Sequence, residues 1–206
     1  MSKNTFLYLA LVLTVVFVAG FVYTQYLKPQ LDNRPVTVVV QMPISSPVAP
    51  LMFKFPSGDG ALALIEPPTG DVSSTGIKEV YLMMDSQQYV EFSRSEDETP
   101  PATISIFVLP YVEAVGAEEM KRAGKLQAWA VANAQFSSWG AVTSEPQPVE
   151  VDGVRSITYK TESVYKQDVY LVLYADDIYV FTGQYESEGD EMQTMFNDIL
   201  ASVILN

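Results

Sequence analysis

The chain has 206 residues, with 25 acidic and 12 basic side chains and neither cysteine nor histidine. Without those two residue types, disulfides, thiolate nucleophiles, ordinary zinc sites and Ser-His-Asp or Cys-His catalysis are excluded. The formal net charge of −13 repels the phosphates of nucleic acids, so we expect no nucleic-acid partner. We also expect no cofactor, no catalytic residues and no metal ligands.

An uncharged apolar stretch, residues 6–27, lies near the start of the chain between Lys3 and Lys28. At about 1.5 Å per residue, a helix of this length crosses a hydrocarbon layer of about 30 Å. We predict a single-pass signal-anchor over residues 1–28, which contacts membrane lipid through residues 6–27 and leaves the rest of the chain on the extracytoplasmic side of the cell membrane. The alternative is a signal peptide cleaved near Val18-Ala19-Gly20, although the apolar run continues beyond that point.

Six prolines lie between residues 29 and 56. Proline fixes φ and removes a backbone donor, which favours an extended chain. The β-branched run at residues 36–42 is either an edge strand within this segment or the first strand of the domain. We predict a proline-rich tether over residues 29–52 and one soluble α/β domain over residues 53–206, a length that can bury a core.

The first half of this domain contains apolar runs typical of strands, at residues 51–55, 61–66, 79–84, 88–94 and 102–109. Residues 114–136 contain no proline and many alanines, and predict one long helix. Lys121, Arg122 and Lys125 form a basic cluster on it. The cluster either meets an acidic partner or is a solvated face on which Glu118 pairs with Arg122 one turn away.

The second half gives the clearest pattern. Asp152-Gly153 predicts a two-residue hairpin turn, because that turn needs positive φ at both central positions. The runs at residues 169–175 and 178–185 are apolar on both faces and predict two strands in the middle of the sheet. An amphipathic helix follows a capping pair formed by Ser187 and Asp190, with apolar residues at helical spacing: Met192, Met195, Phe196, Ile199 and Leu200.

Three motifs can be interpreted either as a functional site or as ordinary local structure. Residues 58–63 match the dinucleotide-binding pattern G-x-G-x-x-A, but nearby prolines leave no room for the helix that this pattern needs, so we interpret them as a turn. Ser74, Thr75 and Lys78 lack the second element of a hydrolase site. An acidic cluster within residues 186–191 either stabilises a helix start through the helix dipole or binds calcium; it comprises Glu186, Glu188, Asp190 and Glu191.

Aromatic side chains recur along one face of each of the two central strands. Such a wall either lines a groove for a ligand or partner, or forms core beneath a helix. We take these residues as the candidate ligand or partner face: Tyr170, Tyr174, Tyr179, Phe181 and Tyr185.

The order of elements resembles a known superfamily. A strand and a long helix precede Val149-Glu150-Val151-Asp152-Gly153-Val154, two apolar strands follow, and the chain closes with a helix that contains Met195-Phe196-Asn197-Asp198-Ile199-Leu200. Over roughly residues 53–205 this pattern is similar to the PsbP-like superfamily. The resemblance implies an α+β fold, in which an antiparallel sheet carries helices on its faces as an α/β/α sandwich. It also implies a largely non-catalytic assembly or docking role, and it transfers no site residues.

Two classes of function follow. In the first, the domain is a membrane-anchored, extracytoplasmic adaptor or assembly factor that binds another membrane or envelope protein. In the second, it is a hydrolase that uses paired carboxylates on an envelope polymer. A third possibility is a binding protein for a small apolar ligand, which requires the aromatic wall to face solvent. Two carboxylates facing each other in a cleft would favour the enzyme, and a closed aromatic core would favour the adaptor.

Overall fold

A computed structural model describes residues 51–56, 61–65, 76–92 and 99–205, together with the backbone of residues 35–39. The predicted signal-anchor, most of the predicted tether, Gly58 to Gly60 and the pair Ser74 and Thr75 lie outside the described residues. Within the described ranges, no helix combines the length and the apolar character that a membrane span requires.

The described segments alternate between strands and short helices. The strands of the first half are β1 (Pro35–Val39), β2 (Leu51–Pro56), β3 (Leu62–Ile65), β4 (Glu79–Asp85) and β5 (Thr103–Pro110). The strands of the second half are β6 (Gln147–Val151), β7 (Val154–Glu162), β8 (Lys166–Tyr174), β9 (Asp177–Tyr185) and β10 (Ile204–Leu205). The α-helices are α1 (Ser86–Phe92), α2 (Arg122–Ala132), α3 (Ala134–Ser137) and α4 (Glu191–Ala201).

Seven strands form one antiparallel sheet in the order β3-β4-β5-β9-β8-β7-β6. The predicted central strands therefore lie in the middle, since β9 is fourth and β8 fifth in this order. The turn between β6 and β7 has positive φ at both Asp152 (48°) and Gly153 (72°), as predicted for that hairpin. The prediction of an antiparallel sheet carrying helices is thus confirmed for the described residues.

A second, smaller sheet has the order β1-β2-β10, again antiparallel. β1 pairs with β2 along its whole length, from Pro35 opposite Pro56 to Val39 opposite Met52. Strand pairing therefore extends into the range that the sequence assigns to a tether. Leu51, Phe53 and Phe55 of β2 are buried in the core, which joins the small sheet to the rest of the domain.

The large sheet has a core on each face. On one face, helix α4 and strand β2 cover a cluster that includes Ile106, Tyr179 and Phe181. On the other face, helix α2 covers a cluster built around Trp129. We call these the α4 face and the α2 face. At Gly183, helix α4 approaches β9 so closely that a Cβ atom would lie 2.3 Å from the ring of Phe196.

Two predictions about local structure were wrong. Residues 88–94 were predicted as a strand, but residues up to Phe92 belong to helix α1, because the Asp85 carboxylate accepts hydrogen bonds from the backbone N–H groups of Gln87 (2.9 Å) and Gln88 (2.8 Å) at the helix start. The long helix over residues 114–136 is interrupted. Gly116 takes a left-handed φ of 83°, so the helix starts only at Arg122, and a second break at Asn133 separates α2 from α3.

Candidate functional site

The five residues of the predicted aromatic face all lie on the α4 face of the sheet. Tyr179, Phe181 and Tyr185 are completely buried there, and burial raises the pKa of Tyr179 to about 12. Phe196 of helix α4 packs on Tyr170, with ring centroids 5.8 Å apart. Tyr170 and Tyr174 are half-buried. The part of this aromatic face that solvent reaches is therefore confined to Tyr170 and Tyr174.

A partly buried ion pair lies at one end of the same face. Lys78 Nζ donates to Asp177 Oδ1 at 2.5 Å, and the Asp177 side chain is completely buried. The second oxygen of Asp177 is also buried and has no hydrogen-bond partner among the described residues. Glu79 accepts a hydrogen bond from the Tyr81 hydroxyl, and burial raises the pKa of Glu79. Of these groups, only the Asp177 side chain is completely shielded from water.

A second polar network joins strands β7 to β9 with the start of helix α4. Asp168 accepts hydrogen bonds from the Tyr185 hydroxyl at 3.1 Å and from Gln193 Nε2 at 2.8 Å. Lys160 Nζ lies 2.6 Å from Glu188 and 3.9 Å from Asp168. The hydrogen bond from Lys160 is the main reason that the pKa of Glu188 is lowered. The carboxylates of Asp168 and Glu188 therefore both have hydrogen-bond or ionic partners within the domain.

The acidic cluster at residues 186–191 contains the cap of helix α4. Asp190 is the N-cap residue, and its carboxylate accepts from the backbone N–H of Gln193 at 2.9 Å. The same carboxylate accepts from the backbone N–H groups of Glu186 and Ser187. Glu191 lies in the first turn, where the helix dipole favours a negative charge. Among the residues that the structure describes, no group of three acidic side chains is placed to hold a metal ion.

Basic side chains collect on the α2 face. A cavity of about 590 Å³ separates the start of helix α2 from the β6–β7 hairpin, and its lining includes Lys121, Arg122 and Arg155. A second cavity, of about 620 Å³, is lined by Arg122, Lys125 and Arg155 together with the turns that follow β6 and β8. Because Arg122 and Arg155 border both cavities, the two are adjacent. We call this surface, defined by Lys121, Arg122, Lys125 and Arg155, the basic groove.

The four bases of the groove differ in their partners. Lys125 forms an ion pair with Glu113, and Arg122 donates to the backbone carbonyl of Leu173. By contrast, Lys121 and Arg155 form no ion pair with any residue in the described ranges. The predicted pairing of Glu118 with Arg122 along a helix does not occur, because Glu118 precedes the first turn of α2.

The floor and the rim of the groove are apolar. Leu126 is completely buried beneath it, and Pro148 and Val149 of β6 line its far wall. Two residues of the loop before α2 have highly exposed side chains, Val112 at 70 % and Val115 at 102 %. Met120 is exposed as well. Its Cβ lies 3.2 Å from the position that a Cβ atom would take at Gly124. None of these three residues lines either of the two cavities, but they lie in the loop that connects Tyr111, which lines the second cavity, to Lys121, which lines the first. We call Val112, Val115 and Met120 the apolar rim.

Tyr111 connects the rim to the second cavity. Its backbone N–H donates to the carbonyl of Asp176 at 2.8 Å, which fixes the loop against the turn after β8. Its hydroxyl group is buried and has no hydrogen-bond partner within the part of the chain that the structure describes. Burial raises the pKa of this hydroxyl.

The sequence identified three of the four basic residues but missed the site that they form. Lys121, Arg122 and Lys125 are neighbours in sequence, whereas Arg155 joins them only through the hairpin that carries β7. In that hairpin Arg155 lies directly opposite Glu150. The Asp152-Gly153 turn was the available signal, since it fixes the register that brings Arg155 to this end of the sheet.

No protein-family model matches the chain, and no curated protein matches it. Among solved structures, it is similar to the solution structure of cyanobacterial PsbP from Synechocystis sp. PCC 6803, with a TM-score of 0.43, 9% sequence identity, and coverage of 81% of this chain and 98% of that chain. It is also similar to a crystal structure from Bacteroides thetaiotaomicron, with a TM-score of 0.43 and 9% identity over 76% of this chain. The chain spans less than half of that protein, 45% of its length. The PsbP-like resemblance predicted from the sequence is therefore found again as a weak similarity of fold.

Proposed function

We propose that this domain works by binding another protein and not by catalysis, and that the basic groove with its apolar rim is the docking surface. The observation that carries the proposal is the position of Lys121 and Arg155. Neither has an ionic partner among the described residues, and both border a cavity in a chain that carries twice as many acids as bases. Arginine beside exposed apolar side chains is a common composition for protein-binding surfaces.

The carboxylates support docking over hydrolysis. A hydrolase of the glycosidase type needs two carboxylates about 5 to 10 Å apart with room for substrate between them. Asp168 and Glu188 are instead bridged by Lys160 and Gln193, and Asp177 is completely buried against Lys78. These groups hold strands and helix together, and we assign them no catalytic role.

The aromatic wall supports docking over the binding of a small apolar ligand. That alternative needs an open aromatic surface, whereas Tyr179, Phe181 and Tyr185 are completely buried on the face that helix α4 and strand β2 cover. An apolar ligand would have to displace part of this cover to reach them.

The partner in this proposal is another membrane or envelope protein on the extracytoplasmic side. In this proposal, the signal-anchor predicted over residues 1–28 holds the domain at the membrane. A tethered domain meets a membrane partner at a raised effective concentration, so a modest affinity is sufficient.

The test is a cross-linked pull-down of the full-length chain from native membranes, with mass spectrometry of the bound proteins. Three forms are compared: the unchanged protein, Arg155→Glu in the groove and Lys54→Glu on the small sheet. Lys54 is exposed, lies on a different layer of the domain and undergoes the same change of charge, so it is the matched control. Thermal unfolding of each form confirms that it folds.

We expect one enriched partner with the unchanged protein and with Lys54→Glu, and a loss of about tenfold or more with Arg155→Glu, because a repulsive charge then stands at the docking surface. Equal recovery of the partner with Arg155→Glu would show that the groove is not the docking surface. No enriched partner with the unchanged protein would overturn the docking function itself.

A further inference from the structure

The basic groove is a local reversal of the charge of the chain. The two cavities together are lined by four bases, Lys121, Arg122, Lys125 and Arg155, and by two acids, Glu150 and Asp176. Glu113, the ion-pair partner of Lys125, adds a third acid, so the groove has one positive charge in excess, whereas the whole chain has a net charge of −13. The net charge of the domain repels an acidic partner, so the groove favours one orientation of such a partner.

The shape of the groove favours a chain segment over a compact ion. Each cavity has a volume of about 600 Å³, and the two are adjacent because both are lined by Arg122 and Arg155. A single carboxylate or phosphate would occupy a small fraction of that space. An extended peptide, which rises about 3.3 Å per residue, can follow both cavities in turn.

The groove also separates two kinds of contact. Bases of the groove share the first cavity with two apolar residues that solvent reaches, Pro148 and Val149, and the loop that carries the apolar rim runs between Tyr111 and Lys121, which line the two cavities. Successive side chains of an extended segment point to opposite sides. A segment in which acidic and apolar residues alternate therefore presents carboxylates to the bases and apolar side chains to Pro148, Val149 or the rim. Arginine suits this role because its planar guanidinium can bind a carboxylate through two parallel hydrogen bonds.

From these observations we infer that the groove binds an extended acidic segment of the partner protein, whose carboxylates pair with Arg155 and Lys121 while its alternate apolar residues contact Pro148, Val149 and the apolar rim. This inference rests on the proposed docking function and specifies the chemistry of the partner.

The experiment measures peptide binding to the full-length chain in detergent micelles by fluorescence anisotropy. The probe is a dye-labelled synthetic peptide in which Glu alternates with Leu and Ser. The comparison peptide has Gln in place of every Glu, so length and apolar content are matched and only the charge differs. The protein variants are the double variant Lys121→Gln/Arg155→Gln and the control Lys54→Gln.

We expect the Glu peptide to bind the unchanged protein and Lys54→Gln at least about tenfold more tightly than the Gln peptide. We expect the double variant to lose that preference, and added salt to weaken binding of the Glu peptide. Equal binding of both peptides, or an unchanged preference in the double variant, would overturn the inference. Displacement of the peptide by inorganic phosphate at equal or lower concentration would overturn it as well, because the groove would then select a small anion.

Failure here is distinguishable from failure of the docking function. If the pull-down yields a partner that Arg155→Glu loses, while the Glu and Gln peptides bind alike, then docking through the groove stands and the acidic segment is ruled out. If the pull-down yields no partner, the docking function fails whatever the peptides do.

Discussion

Lys78 holds its ammonium nitrogen 2.5 Å from the carboxylate of Asp177, and the two residues lie 99 positions apart in the chain. The Lys78 side chain is 30 % exposed, whereas that of Asp177 is fully shielded from water. Lys78 precedes strand β4 and Asp177 begins β9, so the pair joins two strands that are not neighbours in the sheet. The ammonium group is thus the only ionic partner of this buried carboxylate among the described residues.

Replacing Lys78 by Met is expected to lower the free energy of unfolding by about 3–5 kcal/mol, because it leaves a buried carboxylate without its cation. Urea unfolding measures the change. The double variant Lys78→Met/Asp177→Asn removes the stranded charge and is expected to be more stable than Lys78→Met alone. A loss below about 1 kcal/mol in the single variant would contradict this account of the pair.

The pKa of Glu79 predicts a pH dependence of stability. Burial raises this pKa above its ordinary value of 4.5. Between 4.5 and the raised value, the folded state binds more protons than the unfolded state, so stability falls as pH increases through that window. Glu79→Gln is expected to make stability less dependent on pH in this window. The glutamine side chain still offers an oxygen that can accept the hydrogen bond from Tyr81. Urea unfolding at intervals from pH 4 to pH 8 tests this, and a constant difference between the two proteins across that range would refute it.

The cap of helix α4 gives a third prediction. Asp190 accepts from the backbone N–H of Gln193, so Asp190→Ala leaves helix donors without a partner and is expected to cost about 1 kcal/mol, up to about 2 kcal/mol. Asp190→Asn keeps an acceptor oxygen and is expected to cost less. Thermal and urea unfolding of both variants provide the comparison. Equal losses would show that the charge, and not the cap, is responsible.

The close approach of Gly183 to Phe196 gives a fourth prediction. A methyl group at Gly183 would overlap the Phe196 ring, with atoms 2.3 Å apart, and both residues lie in a packed core. Gly183→Ala is therefore expected to destabilise the domain by about 3 kcal/mol or more. Phe196→Ala removes the Cγ and Cδ1 atoms that would lie nearest, so the double variant is expected to be less destabilised than the sum of the two single changes. Simple additivity in this double-mutant cycle would contradict a direct clash.

Sequence patterns predicted those parts of the fold that depend on local chemistry. Asp152-Gly153 specified its hairpin through backbone conformation, and the doubly apolar runs of β8 and β9 required a place inside the sheet. The terminal amphipathic helix was also visible from its spacing. The strand predicted over residues 88–94 was wrong because Tyr89 and Val90 are typical strand residues. Here they are exposed on a short helix, whose first N–H groups donate to the Asp85 carboxylate.

The candidate site was less predictable, because it depends on contacts between distant residues. Nothing in the sequence around Arg155 indicates that it borders the same cavities as Arg122. Likewise, the sequence suggested Lys78 only as a possible part of a hydrolase motif, whereas in the fold it forms an ion pair with Asp177. The aromatic residues were found by their alternation, but alternation alone does not reveal that helix α4 and strand β2 cover this face and that three of the residues are completely buried.

Closure of the small sheet has a consequence for how the protein is made. The Ser202 hydroxyl oxygen accepts from the backbone N–H of Lys54 at 2.8 Å, across 148 positions of sequence, and β10 then pairs with β2. A ribosome adds about 5–20 residues per second, so β2 waits many seconds for the strand that covers its edge. During that time Leu51, Phe53 and Phe55 lack the part of their cover that helix α4 and β10 supply, and one edge of β2 is open to incorrect pairing until β10 emerges.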